Sequence, residues 1–208
     1  MPTTPSQRVP LPEPDLPSFD LSGELSLEPL LRKYTRRRAR MEPMYAEMLL
    51  AARELVRPVV LRRAFPSAEV PDFADPLGTP EQVVLGLCSV GGALESRVAE
   101  IFADEPAQAV VLDEIGNAWV AGLARQLHRE IRATAAAAGL RAGPGFRPGI
   151  GHWPVELQPR IFRLLEAEQH GIRLTGGLMM EPRKSVSMIV PVGQRLARTA
   201  YAPTPDAD

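Results

Sequence analysis

The segment GLRAGPGFRPGIGHWP, residues 139–154, combines the residue types of a ligand-binding loop. It holds five glycines and three prolines and therefore predicts a long loop without a regular hydrogen-bond ladder. Glycine lets the backbone approach a ligand closely, while Trp153 offers a rigid aromatic wall. We therefore expect this loop to bind a ligand. His152 is either a hydrogen-bonded loop residue or an acid or base acting on a small substrate.

A second candidate segment is IRLTGGLMMEPRKSVSMIVPV, residues 172–192. It predicts a strand, an interrupting loop and a second strand, SVSMIV, whose alternation is typical of a half-buried edge strand. Met179 and Met180 lie beside two glycines, where methionine either fills a core or lines a flat apolar ligand. Lys184 is one of only two lysines in the chain, which draws attention to its position.

Several kinds of chemistry have no motif in this sequence. The sequence contains neither the phosphate-loop motif GxxxxGK[ST] nor the nucleophile motif GxSxG. Gly143 and Gly145 have Gly-x-Gly spacing, but they follow a predicted helix rather than a strand, which excludes a dinucleotide fingerprint. Cys88 is the one cysteine, so it forms no internal disulfide, and its apolar neighbours predict a buried core residue. The three histidines show no metal-ligand spacing. We expect no independent catalytic residue and no protein-built metal centre.

Hydrophobic periodicity predicts the elements that position these two segments. In chain order they are a helix that begins near Leu25 and strengthens at Pro43 as a first-turn residue, a strand at 59–65, a loop at 66–81, a buried strand and turn at 82–92, a helix at 93–103, a central packing helix from Pro106 to about residue 138, and a helix apolar at Leu157, Ile161, Leu164 and Leu165 that ends near Gly171. Helices and strands do not alternate regularly, which favours an α+β fold with an antiparallel sheet.

Composition limits the domain count and the partners. The 208 residues predict one domain, and six prolines in the first 17 residues predict an extended or disordered arm at 1–20, followed by a domain at 21–201 and a tail at 202–208. A net charge of −1 gives no general attraction to nucleic acid. No apolar run approaches the ~20 residues of a membrane span, and no signal-peptide core is visible, so we expect a cytoplasmic protein.

A basic cluster precedes Pro43. Its members are Arg32, Lys33, Arg36, Arg37, Arg38 and Arg40. A solvated helix face accounts for such a cluster, and so does a docking patch for an acidic partner.

Two motifs, in order and at matching separation, resemble one family. FRPGIGHWP at 146–154, with Gln158 and Leu164-Leu165, is similar to the SPGYGDWP…Q…LL signature of the cobalamin-dependent methionine synthase activation domains, in particular their small stand-alone bacterial members. GIRLT at 171–175 and PRKSVS at 182–187 are similar to a second element of that family. Residues 82–119 are similar to its strand, turn and long helix, so the resemblance covers roughly residues 25–193.

The resemblance implies a C-shaped α+β domain with a twisted antiparallel sheet flanked by helices. It implies a shallow groove for S-adenosylmethionine that faces a cobalamin carried by a corrinoid protein or by a methionine synthase lacking this domain, with a flavodoxin-type electron donor. The chain would then support reductive methylation of the cobalamin as an accessory component rather than as an independent catalyst. The implied ligand-binding residues are Arg147, Pro148, Gly149, Gly151, His152, Trp153, Met180, Pro182, Arg183, Lys184 and Ser185.

Ligand-side positions depart from the family pattern while scaffold positions match it. Gly145 and Ile150 stand where the family has an arginine and a tyrosine, and Ala121 stands where its long helix has an acidic residue. His152 replaces an aspartate, and Gly176-Gly177 replaces Glu-Ser. An unpaired carboxylate or ammonium is costly to desolvate, so these changes predict weakened S-adenosylmethionine binding. The alternative hypothesis is therefore a degenerate docking subunit of a larger complex.

Overall fold

The computed structural model describes residues 28–34 and 36–196. The predicted arm, the tail, the helix start near Leu25 and the domain limits at residues 21 and 201 lie outside the described residues. The helices are α1 (Glu28–Leu31), α2 (Arg38–Leu55), α3 (Pro71–Ala74), α4 (Ala93–Ile101), α5 (Pro106–Ala137) and α6 (Gln158–Leu164). The strands are β1 (Val59–Pro66), β2 (Gln82–Ser89), β3 (Arg141–Ala142), β4 (Arg173–Leu174), β5 (Met180–Glu181) and β6 (Ser185–Gly193).

Four strands form one antiparallel sheet in the order β1-β2-β6-β3. Leu85 of β2 lies between Arg63 of β1 and Ile189 of β6, which fixes the register at the middle of the sheet. β4 and β5 form a separate two-stranded hairpin. The α+β prediction, with a twisted antiparallel sheet flanked by helices, is confirmed.

Alternate residues of β2 supply two hydrophobic cores because successive strand side chains point to opposite faces. Val84 and Cys88 face α5, while Val83, Leu85 and Leu87 face the other side. All eight residues of the strand are buried, as its uninterrupted apolar run predicts. Cys88 is fully buried, and loss of solvation raises the pKa of its thiol to about 12, which confirms a core residue rather than a reactive one.

The first core lies between the sheet and α5, with α2 and α4 packed against that helix. The predicted apolar face of α5 is buried at Val111, Ile115 and Leu127. Gly86 of β2 allows the close approach, because a Cβ added there would lie 2.8 Å from Cδ2 of Leu127. The predicted role of α5 as the central packing helix is confirmed.

The second core covers the opposite face of the sheet. It contains Phe73 of α3, Phe162 of α6, and Phe146 and Trp153 from the segment between β3 and α6. Leu61, Leu85 and Ile189 supply the sheet side of this core. The predicted glycine-rich segment is thus packed onto the face that α5 does not cover.

Three local predictions differ from the structure. β6 is a central strand, not an edge strand, because β2 and β3 pair with its two sides and eight of its nine residues are buried. Pro43 lies inside α2, whose first residue is Arg38, rather than in the first turn. The 66–81 loop contains α3 and two short 3-10 helices, Ser67–Glu69 and Asp75–Leu77.

Candidate functional site

The glycine loop, defined here as residues 143–154, starts as a continuation of the sheet. The Gly143 N–H donates to the carbonyl of Pro191 at 2.8 Å. Phe146 then exchanges two backbone hydrogen bonds with Ile189, both 2.8 Å long. The prediction of no regular ladder is therefore wrong for residues 141–146. The edge of β6 that faces away from β2 presents backbone N–H and C=O groups, and the glycine-rich chain comes close enough to pair with them.

The middle of the glycine loop is a tight turn closed by backbone hydrogen bonds. The Gly149 N–H donates to the Trp153 carbonyl at 2.7 Å, and the Ile150 N–H donates to the Arg147 carbonyl at 3.1 Å. Gly149 and Gly151 have φ of 85° and 63°, a left-handed conformation that favours glycine. The turn leaves the side chains of Arg147, Ile150 and His152 exposed, whereas Pro148 is buried.

Trp153 belongs to the second core. Its side chain is 5% exposed, and its ring centroid lies 5.2 Å from that of Phe146. The indole Nε1 is buried and has no hydrogen-bond partner among the residues that the structure describes. Such packing fixes the end of the glycine loop on the sheet, and a role of this residue in ligand binding stays a prediction.

The second predicted segment continues from the β4–β5 hairpin into β6. Met180 pairs with Leu174 across the hairpin and packs against the second core. Residues 182–185, which we call the PRKS turn, lead from the hairpin into the first residue of β6. Ser185 Oγ lies 2.7 Å from the Pro182 carbonyl and 2.8 Å from Ser89 Oγ, so buried hydrogen bonds hold this turn against β2.

Lys184 is anchored on α4 and α5. Its Nζ lies 2.7 Å from Oδ1 of Asp113, and its backbone N–H donates to Glu95 Oε1 at 2.6 Å. The stem of the lysine passes over Gly116, where an added Cβ would lie 3.5 Å from Cε. These contacts leave the lysine side chain only 12% exposed.

A pocket of about 370 Å³ lies at this point, and we call it the α4–α5 pocket. Its lining residues are Glu95, Val98, Ala99, Phe102, Asp113, Arg183 and Lys184. Of the residues predicted from sequence, the pocket contains Arg183 and Lys184 and none from the glycine loop. Sequence reasoning missed the other five, although the acidic pair Asp113 and Glu114 near the start of the long helix was a visible signal.

The two predicted segments meet β6 at different points. Phe146 pairs with Ile189, four residues beyond Ser185, which corresponds to about 13 Å along a strand. On α5, Lys184 lies over Gly116, whereas Gly145 is beside His128, twelve residues or about 18 Å further along. The structure therefore places the predicted residues along one strand rather than in one pocket.

The positions that depart from the family pattern carry no charged or hydrogen-bonding side chain, except His152. A Cβ at Gly145 would meet Met188 and Val190 at 3.9 Å, which is ordinary contact. Ile150 is 60% exposed, and Ala121 is half-buried on α5. Near Gly145, Nε2 of His128 lies 2.8 Å from the carbonyl of Gly143.

The basic cluster is partly neutralised. Arg38 forms an ion pair with Glu28 at 2.5 Å, and Lys33 forms one with Glu114. The Glu114 carboxylate raises the pKa of Lys33 and also accepts a hydrogen bond from the buried Tyr45 hydroxyl. Arg38 thus links α2 to α1, Lys33 links the segment after α1 to α5, and docking of a partner by the cluster stays a prediction.

Together, the sheet, the long helix and the two segments on β6 define an α+β domain whose candidate site lies along a central strand. A solved structure described as the MetH reactivation domain bound to AdoHcy has a similar fold, with a TM-score of 0.61 and 16% sequence identity. The match covers 78% of this chain and 68% of that domain. No family model and no curated protein sequence matches the chain.

The length and hydropathy of the helices bear on membrane insertion. Across residues 28–34 and 36–196, none of them combines the length and the hydropathy required to span a bilayer.

Proposed function

We propose that this chain is a stand-alone activation-domain-like protein that docks on a corrinoid protein or a methionine synthase and supports S-adenosylmethionine-dependent reductive methylation of its cobalamin. One observation carries the proposal: two family-like motifs flank β6 in a fold similar to that of a MetH reactivation domain bound to AdoHcy. A flavodoxin-type donor would supply the electron. In this proposal the chain positions reactants for a cobalamin-bearing partner.

The glycine loop offers hydrogen-bond donors for a ligand with a carboxylate. Within the described residues, the backbone N–H groups of Gly145 and Gly151 make no hydrogen bond, and the Arg147 side chain is exposed beside them. In this proposal such donors would hold the carboxylate of S-adenosylmethionine, which would supply the methyl group when bound. Because Ala121 and Ile150 provide no acceptor for its ammonium, binding should be weaker than in a site with the full clamp.

The PRKS turn would face the partner. Arg183 is exposed, and the buried hydroxyl of Ser185 keeps the turn fixed against β2. A rigid turn with an exposed guanidinium can hydrogen-bond the amide edge of a corrin or a ligand carboxylate. Met180 and Pro182 would then supply apolar contacts next to it.

Isothermal titration with S-adenosylmethionine and AdoHcy tests the proposal. We expect measurable binding by the parent chain and at least about tenfold tighter binding by Gly145→Arg/Ile150→Tyr, since a charge-assisted pair and an aromatic contact are restored. Gly145 tolerates a side chain because its Cβ would make only ordinary contacts. Ala133→Arg adds the same charge at an exposed position of α5 and serves as the matched control. If neither the parent nor the double variant binds either ligand, the proposal is wrong.

A second candidate function is a docking subunit that no longer binds S-adenosylmethionine. The exposed Ile150 favours it, because an apolar side chain at the tip of a tight turn suits a protein contact better than a sulfonium ligand. Purification from the native host should then yield a stable complex independent of added ligand, and Ile150→Glu should release the partner. A complex that forms only with S-adenosylmethionine present would contradict this alternative.

A further inference from the structure

The α4–α5 pocket points to a second binding site. We propose that it binds a small organic anion composed of a flat or branched apolar body and one carboxylate. This inference goes beyond the proposed function. The pocket shares Arg183 and Lys184 of the PRKS turn with that function, but its other residues lie on α4, directly after α4 or on α5, and none belongs to the glycine loop. Its volume of about 370 Å³ lies near the lower end of the roughly 300–1,000 Å³ typical of small-molecule sites.

One wall of the pocket is apolar and open to solvent. This wall consists of Val98 and Ala99 of α4 and of Phe102, the residue directly after that helix. Phe102 is 58% exposed, so a ligand that covers it would remove a large apolar surface from water. Val110, also exposed, lies one turn before Asp113 on the same side of α5. A ligand with an apolar body would therefore bury surface that is now in water.

The open polar groups of the pocket are mainly donors. Both Asp113 oxygens are engaged, Oδ1 by Lys184 and Oδ2 by the amide of Asn117 at 3.1 Å. One oxygen of Glu95 accepts from the Lys184 backbone. By contrast, the Arg183 guanidinium has no ion pair or hydrogen bond among the described residues.

Lys184 adds further hydrogen-bond donors to the pocket. Its ammonium carries three donors, and Asp113 is the acceptor recorded for it within the described ranges, so two donors remain. Against these donors, the second carboxylate oxygen of Glu95 is the one pocket acceptor without a recorded contact within the described ranges. The pocket thus favours a ligand group that accepts hydrogen bonds and carries negative charge, which is a carboxylate rather than an ammonium.

Ligand-observed NMR and calorimetry with 3-phenylpropionate as the probe test this site on the full-length chain. We expect the carboxylate to bind, and the neutral 3-phenylpropanamide and the cationic 3-phenylpropylamine to bind at least about tenfold more weakly. Arg183→Gln should weaken the probe by about tenfold, and Phe102→Ser should weaken it severalfold. Both side chains are exposed, so the variants should keep the parent's circular dichroism spectrum and melting curve.

Matched controls separate the pocket from general surface effects. Arg163→Gln removes an exposed guanidinium from α6, and Leu50→Ser removes an apolar side chain of α2 that is 64% exposed. Neither should change probe binding. Absence of parent binding at millimolar probe, equal binding of acid and amide, or full binding by Arg183→Gln would each overturn the proposal.

S-adenosylmethionine titrations of the same samples distinguish the two proposals. Phe102→Ser should weaken the probe but not S-adenosylmethionine. If S-adenosylmethionine displaces the probe, the two ligands share one site, and the proposal of a second site is wrong. Probe binding without any S-adenosylmethionine binding would support the α4–α5 pocket and count against the proposed function.

Discussion

The glycine loop and the PRKS turn flank the same strand, but different forces hold them. The glycine loop is fixed by backbone hydrogen bonds to β6 and by the buried pair of Phe146 and Trp153. The PRKS turn is fixed by side-chain hydrogen bonds and an ion pair that reach β2, α4 and α5. Apolar burial tolerates exposed polar residues at the tip of a loop, whereas the polar anchor of the PRKS turn orients the Lys184 side chain toward Asp113. The first arrangement suits a ligand held by backbone groups, and the second suits one held by charges.

The largest loss of stability should come from replacing Trp153. Trp153→Ala should lower the free energy of unfolding by roughly 3–5 kcal/mol, because it empties a core position beneath the loop. Ile150→Ala, in the same loop but exposed, should change it by less than about 0.5 kcal/mol. Urea denaturation followed by far-ultraviolet circular dichroism measures both. Similar small effects for the two variants would show that packing does not hold this loop.

Ser187 tests a polar contact between α6 and β6, the strand that both regions meet. Its Oγ donates to Gln158 Oε1 at 3.1 Å, and both residues are buried. Ser187→Ala should cost about 1–3 kcal/mol, because the amide oxygen of Gln158 loses its buried partner. The double variant with Gln158→Leu should recover part of this loss, and the same denaturation series measures it. No recovery would mean that the cost arises from repacking of β6 instead.

Lys184→Met tests the ionic anchor of the PRKS turn. We expect a loss of about 1 kcal/mol, since Asp113 stays half-exposed and keeps its contact with Asn117. The difference from the parent should shrink in 1 M salt, where the Debye length is only about 3 Å. Thermal melts at low and high salt measure it. If the loss of stability does not depend on salt, it arises from the alkyl stem of Lys184 packed over Gly116 rather than from the ion pair.

The smallest loss of stability is expected from a substitution in the β4–β5 hairpin, which precedes the PRKS turn. Arg173 and Glu181 pair across β4 and β5 at 2.7 Å on the surface. Arg173→Ala should change the unfolding free energy by no more than about 0.5 kcal/mol, because solvent screens an exposed pair. The melting temperature is the readout. A shift as large as that of Lys184→Met would indicate that the hairpin, rather than the α5 contact, holds the PRKS turn.

The local elements were predictable because each leaves a pattern in its own residues. The apolar run from Val83 to Cys88 predicts a buried strand, and the periodic face from Val111 to Ile131 predicts the long helix. The buried state of Cys88 follows from the same run. The family resemblance of the two motifs also comes from the residues alone, and the fold agrees with it.

Tertiary structure decided which edges and faces were covered. Alternation along SVSMIV describes the two faces of β6 but says nothing about its hydrogen-bonding edges, so its central position depended on β3 folding back from α5. The indole of Trp153 turned inward because Phe146 is paired to Ile189 beneath it. Lys184 met Asp113 through the packing of α4 on α5, a contact between residues 71 positions apart. Sequence patterns carry the preferences of single elements, whereas a binding pocket arises where several elements pack against one another.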